Sequence, residues 1–554
     1  MLLLDFFKKE SDVPKGPIIF MGIMSGIANS LVLGVINQGA QKVSNNEEVT
    51  QLFFIFLISV ALFIYTRKYS LSQATIMVEQ AIRRVRVRIT DKIRRTELSY
   101  IEKHDRAQIY THLTQDANLI SQSGLVVVSG IQSVVVIIFC SLYVAMLSPM
   151  GFLIIAVGFT AAALLYLSHS KAISQEIHLS ILKEAEFFAI LNHVLDGFKE
   201  IRINSRKSDD VFRHVEKISV ETEQVKISTG LKFVTDIMFS RVFSNSLLGI
   251  VVFIMPLFSP THATIVIKIT ATVLFLISPI EVIVGAIPMF ARATASIENI
   301  TKLEESLDEV LRQNPHSQSD EADVDKNATM FSRFQHIEFQ QINFQYTDKT
   351  GAPSFRVGPI DLTINREEIL FIVGGNGSGK STFLKLLTGL YYPLSGSIAI
   401  DGEELDYTNY QAHRELFSII FTDFHLFDRL YGLQHVDEKR VKSLLQMMEL
   451  DKKTKYTHGQ FSQLDLSTGQ KKRLAFIAAV MEDKPIYIFD ELAADQDPQF
   501  RKHFYEEILP DLRRQGKTII AVTHDDNYFH CADRVLKMEL GELRPITEIN
   551  DSSV

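Results

Sequence analysis

The sequence predicts a protein in two parts, an all-α bundle of six membrane-spanning helices followed by an α/β domain built around a phosphate-binding loop. Three observations carry this. Hydropathy divides the 554 residues sharply near position 310, and a chain of this length is expected to hold more than one domain. The stretch Gly374-Gly375-Asn376-Gly377-Ser378-Gly379-Lys380-Ser381-Thr382 follows the apolar run Ile369 to Val373 and precedes a helical pattern at Phe383, Leu384, Leu386 and Leu387. That is a strand, a glycine turn and a helix start, the context a P-loop requires. Further on, the buried-strand pattern Ile486-Tyr487-Ile488-Phe489 ends in Asp490-Glu491, which delivers two carboxylates to a sheet edge.

A bilayer core takes about 20 mostly apolar residues per helix. Six segments meet this, near 17–36, 50–66, 125–147, 151–168, 237–258 and 265–290, so residues 1–313 read as a transmembrane domain in contact with lipid. Only Ser148-Pro149-Met150 separates the third span from the fourth, which predicts a tight hairpin, and Ser259-Pro260-Thr261 turns the fifth into the sixth. Lysine and arginine next to spans stay on the cytoplasmic side. Lys8, Lys9 and Lys15 precede the first span, and Arg67, Lys68, Arg83, Arg84, Arg86 and Arg88 follow the second, so both termini are expected to be cytoplasmic. Long polar, helix-favouring stretches follow spans two and four, far more than a turn needs, and predict helices projecting beyond the membrane. Residues 314–334 are rich in Ser, Asp, Asn and Glu and read as a linker. Alternation at Ile337, Phe339, Ile342, Phe344 and Tyr346 then opens a soluble domain over 335–554.

Composition excludes some classes. A net charge of -8 gives no reason to expect nucleic acid as a partner. Cys140 and Cys531 offer neither a disulfide framework nor metal-ligand spacing. No obvious small-residue cleavage site follows the first apolar run, which is expected to be a retained anchor.

The P-loop residues carry a specific chemistry. Glycines let successive N–H groups point inward, and the following helix adds positive potential for a triphosphate. Lys380 is placed to reach the β and γ phosphates, and Ser381 to ligate Mg²⁺, which prefers hard oxygens. Asp490 is placed to hold the metal through water, and Glu491 to orient or deprotonate the attacking water. The apolar strand Thr518 to Thr523 ends at His524; a lone strand-end histidine is more often structural, but after a P-loop and an acidic strand it reads as a γ-phosphate sensor.

One further motif separates this chain from other P-loop ATPases. Leu466-Ser467-Thr468-Gly469-Gln470-Lys471-Lys472-Arg473 opens a helix, with Ser467 as a natural N-cap and Gly469 admitting a phosphate close to the backbone. Here the sequence resembles the ABC transporter superfamily, with Thr468 where glycine is commonest. The order of the two parts is similar to that of an exporter half-transporter, a type I arrangement. The resemblance implies a homodimer in which ATP held by Lys380 of one copy meets Ser467, Gly469 and Gln470 of the other. It also implies that Tyr346 stacks on adenine and that Ala494-Asp495-Gln496-Asp497 crosses between the two ATPase domains, with Asp497 at the nucleotide. Segments 99–120 and 195–208 resemble coupling-helix regions. Where the family carries a glutamine toward Mg²⁺, this chain has Thr422, and either Thr422 or Asp423 can supply the oxygen.

These departures, with Phe421 to Asp428 and Asp490 to Pro498, resemble the cyclic-peptide exporter branch, which includes exporters of lasso-peptide microcins and of siderophore or lipopeptide precursors. The resemblance implies ATP-driven export of a peptide-like cargo across a bacterial inner membrane, and leaves cargo identity and any periplasmic partner open. A multidrug or lipid-linked exporter is the rival within transport, and an ATP-gated sensor the rival outside it. Glu281, between Pro279 and Pro288, is the one deep ionisable group expected in the spans; it either meets cargo or pairs with another helix.

Overall fold

The computed structural model describes residues 2–104, 106–258, 263–313, 329–347, 352–406, 409–433 and 435–546. It divides into two compact units, one of Met1–Arg94 with Asp105–Asp308 and the other of Arg95–His104 with Glu309–Val554. The expected linker falls mostly outside the described residues. Its last part is not linker-like, because Phe331 and Phe334 are buried in the core of the second unit.

The first unit is helical. It comprises α1 (Leu2–Glu10), α2 (Lys15–Ser44) and α3 (Thr50–Arg95), whose last residue falls in the second unit. Past α4 (Leu98–Lys103), which the second unit holds, come α5 (Arg106–Thr111), α6 (Ala117–Leu147) and α7 (Pro149–Asp196). After them come α8 (Phe198–Ile203), α9 (Ser205–Gly249), α10 (Met255–Phe258) and α11 (Ala263–Gln313), which ends in the second unit. Single π-turns, His112–Asp116 and Ile250–Ile254, join α5 to α6 and α9 to α10. The 46 residues of α3 and 51 of α11 give lengths of roughly 70 and 75 Å, against about 30 Å of hydrocarbon. These helices therefore outrun a bilayer by more than their spans need. Among the described residues, five helices are long and apolar enough to cross a membrane. The fourth expected span lies in α7, where Pro149–Ala162 is apolar and the side chains that follow are outside the described set.

Ser148 accepts the Gly151 N–H at 3.2 Å and Pro149 takes the first helical position, so the chain reverses directly from α6 into α7. Small residues let helices approach closely. A Cβ on Gly124 of α6 would lie 2.4 Å from Val78 of α3, and one on Gly26 of α2 would lie 2.6 Å from Val135 of α6. At one end of this unit Arg88 bridges Glu10 and Glu304 at 2.6 Å each, and Lys92 holds Glu304 and Asp308 at 2.7 and 2.6 Å, tying α1, α3 and α11 together. Glu281 is not the lone deep charge expected: Arg241 of α9 donates to its Oε1 at 2.8 Å. The turn at Ser259–Thr261 lies outside the described residues.

The second unit holds β1 (His336–Thr347), β2 (Pro353–Asn365), β3 (Ile369–Val373), α12 (Lys380–Leu387), β4 (Ser395–Ile400) and β5 (Glu403–Glu404). Next come α13 (Tyr410–Arg414), β6 (Phe417–Ile420), α14 (Glu438–Met447), β7 (Tyr456–Thr457), β8 (Gln460–Phe461) and α15 (Thr468–Glu482). The chain closes with β9 (Ile486–Asp490), α16 (Pro498–His503), α17 (Leu509–Arg514), β10 (Thr518–Val522), β11 (Arg534–Glu539) and β12 (Glu542–Pro545). One sheet runs β2-β1-β4-β5, and the main one runs β12-β11-β3-β10-β9-β6 with only the β11–β12 pair antiparallel. Every residue of β3, β9 and β10 is buried, which is why these strands read as unbroken apolar runs rather than alternations.

Helix α4 belongs to this unit. Glu102 takes a hydrogen bond from Lys385 Nζ at 2.7 Å and another from the Tyr391 hydroxyl, and Leu98 packs on the core. It overlaps the start of the first segment, 99–120, marked in the sequence as a coupling region.

Candidate functional site

Parallel strands send their C-terminal ends to one edge, where open α/β sheets bind ligands. The strand order places the ends of β3, β10, β9 and β6 side by side at that edge. Register puts Val522 opposite both Ile372 and Asp490, and Ile420 opposite Phe489. The P-loop after β3, His524 after β10, Asp490-Glu491 at the end of β9 and Thr422 after β6 are thereby neighbours. With strands about 4.8 Å apart, Asp490 stands roughly 10 Å from the P-loop, across one strand.

The loop itself is a cradle. Gly377 and Gly379 have φ of 77° and 109°, in the left-handed region that glycine enters freely. Gly375 and Gly377 face open space, whereas a Cβ on Gly379 would press on Met538 and Val357. Lys380 is buried and donates to the carbonyls of Gly374 and Gly375 at 2.8 and 3.0 Å. The Ser378 hydroxyl is buried with no hydrogen-bond partner among the described residues. A concave backbone, a buried cation and an unpaired hydroxyl fit a triphosphate. Asn376 and Ser381 are exposed, and Thr382 is buried with its hydroxyl 3.1 Å from that of Tyr346. Tyr346 meets Phe344 edge-on at 5.1 Å, so its ring is already braced at the rim of the loop.

Asp490 is buried, and burial raises its pKa, opposed by hydrogen bonds from Thr422. A hard divalent cation beside it would favour the ionised form, so Asp490 with the Ser381 hydroxyl is a donor set suited to Mg²⁺. Of the two residues offered at the glutamine position, Thr422 lies against Asp490: its N–H donates to Asp490 Oδ2 and its hydroxyl to the Asp490 carbonyl, both at 3.4 Å. Asp423 is exposed. Glu491 has φ of 55°, and its Oε1 lies 3.1 Å from His524 Nε2, which brings the two expected catalytic side chains together.

Ser467 and Gln470 form a reciprocal capping box at the start of α15, with Ser467 N–H donating to Gln470 Oε1 at 3.2 Å and Gln470 N–H to Ser467 Oγ at 3.4 Å. Gly469 lies against the 494–497 loop: its carbonyl accepts Gln496 Nε2 at 2.9 Å, and a Cβ there would meet the Asp495 carbonyl at 2.9 Å. Asp497 is engaged inside its own chain. It caps α16 through the Phe500 N–H at 2.9 Å and pairs with Arg473 at 2.8 Å, and the Phe500 N–H is the main cause of its lowered pKa. Sequence reasoning did not find Arg473 or Arg241 in these roles. The signal for Arg241 was a charge inside an apolar span.

Residues 357–494 match the family model for an ABC transporter. Over 531 residues the chain is 32% identical to the ATP-binding protein SyrD of Pseudomonas syringae pv. syringae, covering 94% of this chain and 92% of that protein. The energy-coupling factor transporter ATP-binding protein EcfA1 of Mycoplasma mobile is 33% identical over 222 residues, 37% of this chain and 78% of its own length. The spermidine/putrescine import ATP-binding protein PotA of Pasteurella multocida is 32% identical over 219 residues, 38% of this chain and 57% of its own. The last two align with little more than a third of the chain, while the likeness to SyrD runs through helical and ATPase parts alike. The chain belongs to the ABC transporter family, as an exporter-type half-transporter whose helical unit is joined to an ATPase that drives transport.

Proposed function

We propose that this protein works as a homodimer that exports a peptide-like molecule across a bacterial inner membrane, with both termini and both ATPase domains on the cytoplasmic side. The observation that carries the reading is the likeness to SyrD over nearly the whole of both chains, supported by the five long apolar helices. Mg²⁺, when bound, neutralises phosphate charge. Lys380 exchanges the Gly374 and Gly375 carbonyls for phosphate oxygens, and Ser378 gains a partner for its buried hydroxyl. Ser467 and Gly469 of the second copy close over the same phosphates. Glu491 takes the proton of the attacking water while His524 holds the carboxylate and reads the γ-phosphate. Closure of the two ATPase domains turns the helical units outward, and hydrolysis resets them.

The test is Glu491→Gln in the purified protein. It should keep ATP binding, lose hydrolysis by a factor of about a hundred or more and accumulate as a closed dimer, consistent with loss of a general base. Hydrolysis at the normal rate would remove Glu491 from that role. Wild-type ATPase activity measured against cyclic and lasso peptides tests the cargo class: stimulation by none of them sinks it.

A second reading, a lipid-linked or strongly apolar cargo, draws on a cavity of about 370 Å³ lined by Ile23, Val134, Ile283 and Phe290 among other apolar side chains. The Arg241–Glu281 pair is the polar candidate for cargo contact. Stimulation by acyl-bearing but not unacylated peptides favours the cavity. Insensitivity of stimulation to Glu281→Gln removes the polar site.

A further inference from the structure

Lys472 sits on α15 one turn beyond the signature residues, and it is 3% exposed. Lysine is almost never buried this far unless its charge is paired. Its Nζ donates to the Glu491 carbonyl at 2.7 Å and pairs with Asp495 Oδ2 at 2.7 Å. Neither partner needs rescue. The Glu491 carbonyl also accepts the Ala494 N–H at 3.3 Å, and the Asp495 side chain is half-exposed, where water can solvate it. What Lys472 adds is constraint. Glu491 stands at φ of 55°, a conformation that side-chain-bearing residues hold only when their surroundings over-determine it. Its N–H is tied to the Val522 carbonyl at 3.1 Å, and Lys472 ties its other side to α15. The direction of the carboxylate follows from that backbone setting.

We propose that Lys472 is a positioning residue for hydrolysis, which aims the Glu491 carboxylate by pinning the Glu491 carbonyl to the signature helix through a buried ammonium anchored on Asp495. The proposal rests on the reading of Glu491 as the base. It gives α15 two jobs: Ser467 and Gly469 at its start meet phosphate of the second copy's nucleotide, and Lys472 one turn on sets the carboxylate that activates the water attacking the chain's own nucleotide. A shift of the helix on closure is therefore transmitted to Glu491 without passing through the P-loop.

The test compares Lys472→Met with wild type in the full-length protein. Loss of one charge-assisted hydrogen bond at a group whose aim matters should lower kcat about tenfold, with KM for ATP, ATP binding and thermal unfolding unchanged. In a Glu491→Gln background the same substitution should leave the residual single-turnover rate as it is, because the residue through which it acts is already gone. Full kcat in Lys472→Met overturns the proposal, and so does an equal fractional loss in both backgrounds, which would mark a structural role. Should the methionine variant not fold, Asp495→Asn, at the exposed end of the pair, carries the test: kcat falls about threefold in the wild-type background and not with Glu491→Gln, and an unchanged kcat refutes it. A Glu491→Gln protein that hydrolyses normally refutes the base assignment instead, so the two failures are distinguishable.

Discussion

Replacing Tyr391 by phenylalanine isolates the link between α4 and the nucleotide-binding unit. The ring would stay: it stacks on Phe344 at 4.8 Å and 17°, and Lys385 Nζ lies 5.1 Å from its centroid. Only the hydroxyl goes, and with it the bond donated to Glu102 and the long one accepted from the Tyr346 hydroxyl at 3.5 Å. Burial, then the Glu102 carboxylate, push the Tyr391 phenol well above the ordinary tyrosine range, so it is a neutral donor to an anion. Such bonds contribute about 1.5–3 kcal/mol. Glu102 is 34% exposed and keeps Lys385, so water recovers part of the loss and about 1–2 kcal/mol remains. At 1.4 kcal/mol per factor of ten, opening of α4 should become about 5- to 30-fold more frequent. Amide exchange across residues 98–103 reads this directly, while protection in β3 and β9 should not move. Basal ATPase activity should survive and its response to cargo should weaken. Unaltered exchange over 98–103 would refute the claim that this hydroxyl holds the helix.

Three further outcomes are expected. Arg241→Met should lower the yield of folded protein more than Arg241→Met with Glu281→Met, since a lone carboxylate among helices costs more than losing the pair; equal yields would show the pair to be idle. His413 is fully buried, donating through Nε2 to the Leu387 carbonyl at 2.8 Å, and burial lowers its pKa to about 4 from 6.5. The unfolded chain then binds more protons between those values, so stability should be flat above about pH 6.5 and fall by roughly 3 kcal/mol as pH drops to 4, a slope that His413→Gln abolishes in denaturant melts. Thr422→Val should raise the Mg²⁺ concentration for half-maximal ATPase about threefold, the size of a small outer-contact effect, and Asp423→Ala should leave it unchanged; the reverse ranking would return the role to Asp423.

What the sequence discloses is what is local. Lys380 follows its glycines directly, Asp490 ends its own apolar strand and Ser467 caps the helix that begins beside it, so each carries its context within a dozen residues. Glu102 with Tyr391 spans 289 positions and Lys183 with Glu221 spans 38. Such pairs leave no periodicity to read. The capture of α4 by the second unit is of this kind, because nothing in Leu98–Lys103 alone says which surface it will meet. Arg241 was legible as a charge and illegible as a partner, since its pairing depends on how α9 and α11 are turned.

The contacts around α15 bear on how a cycle can proceed. Gln496 donates to the Gly469 carbonyl and receives Arg473 Nε, Arg473 also holds Asp497 and lies 3.9 Å over Phe500, and Lys472 holds Asp495 and the Glu491 carbonyl. Moving one of these groups without the others gives up several of these bonds at once, among them those that hold the buried Lys472 ammonium, which costs more than moving all of them together. The signature turn, the 494–497 loop and the backbone of Glu491 therefore shift as one body. In the proposed dimer, a phosphate gripped at Ser467 and Gly469 would then bias the aim of a carboxylate that serves a different nucleotide, so the two sites would answer to each other through short, hydrogen-bonded paths inside each chain.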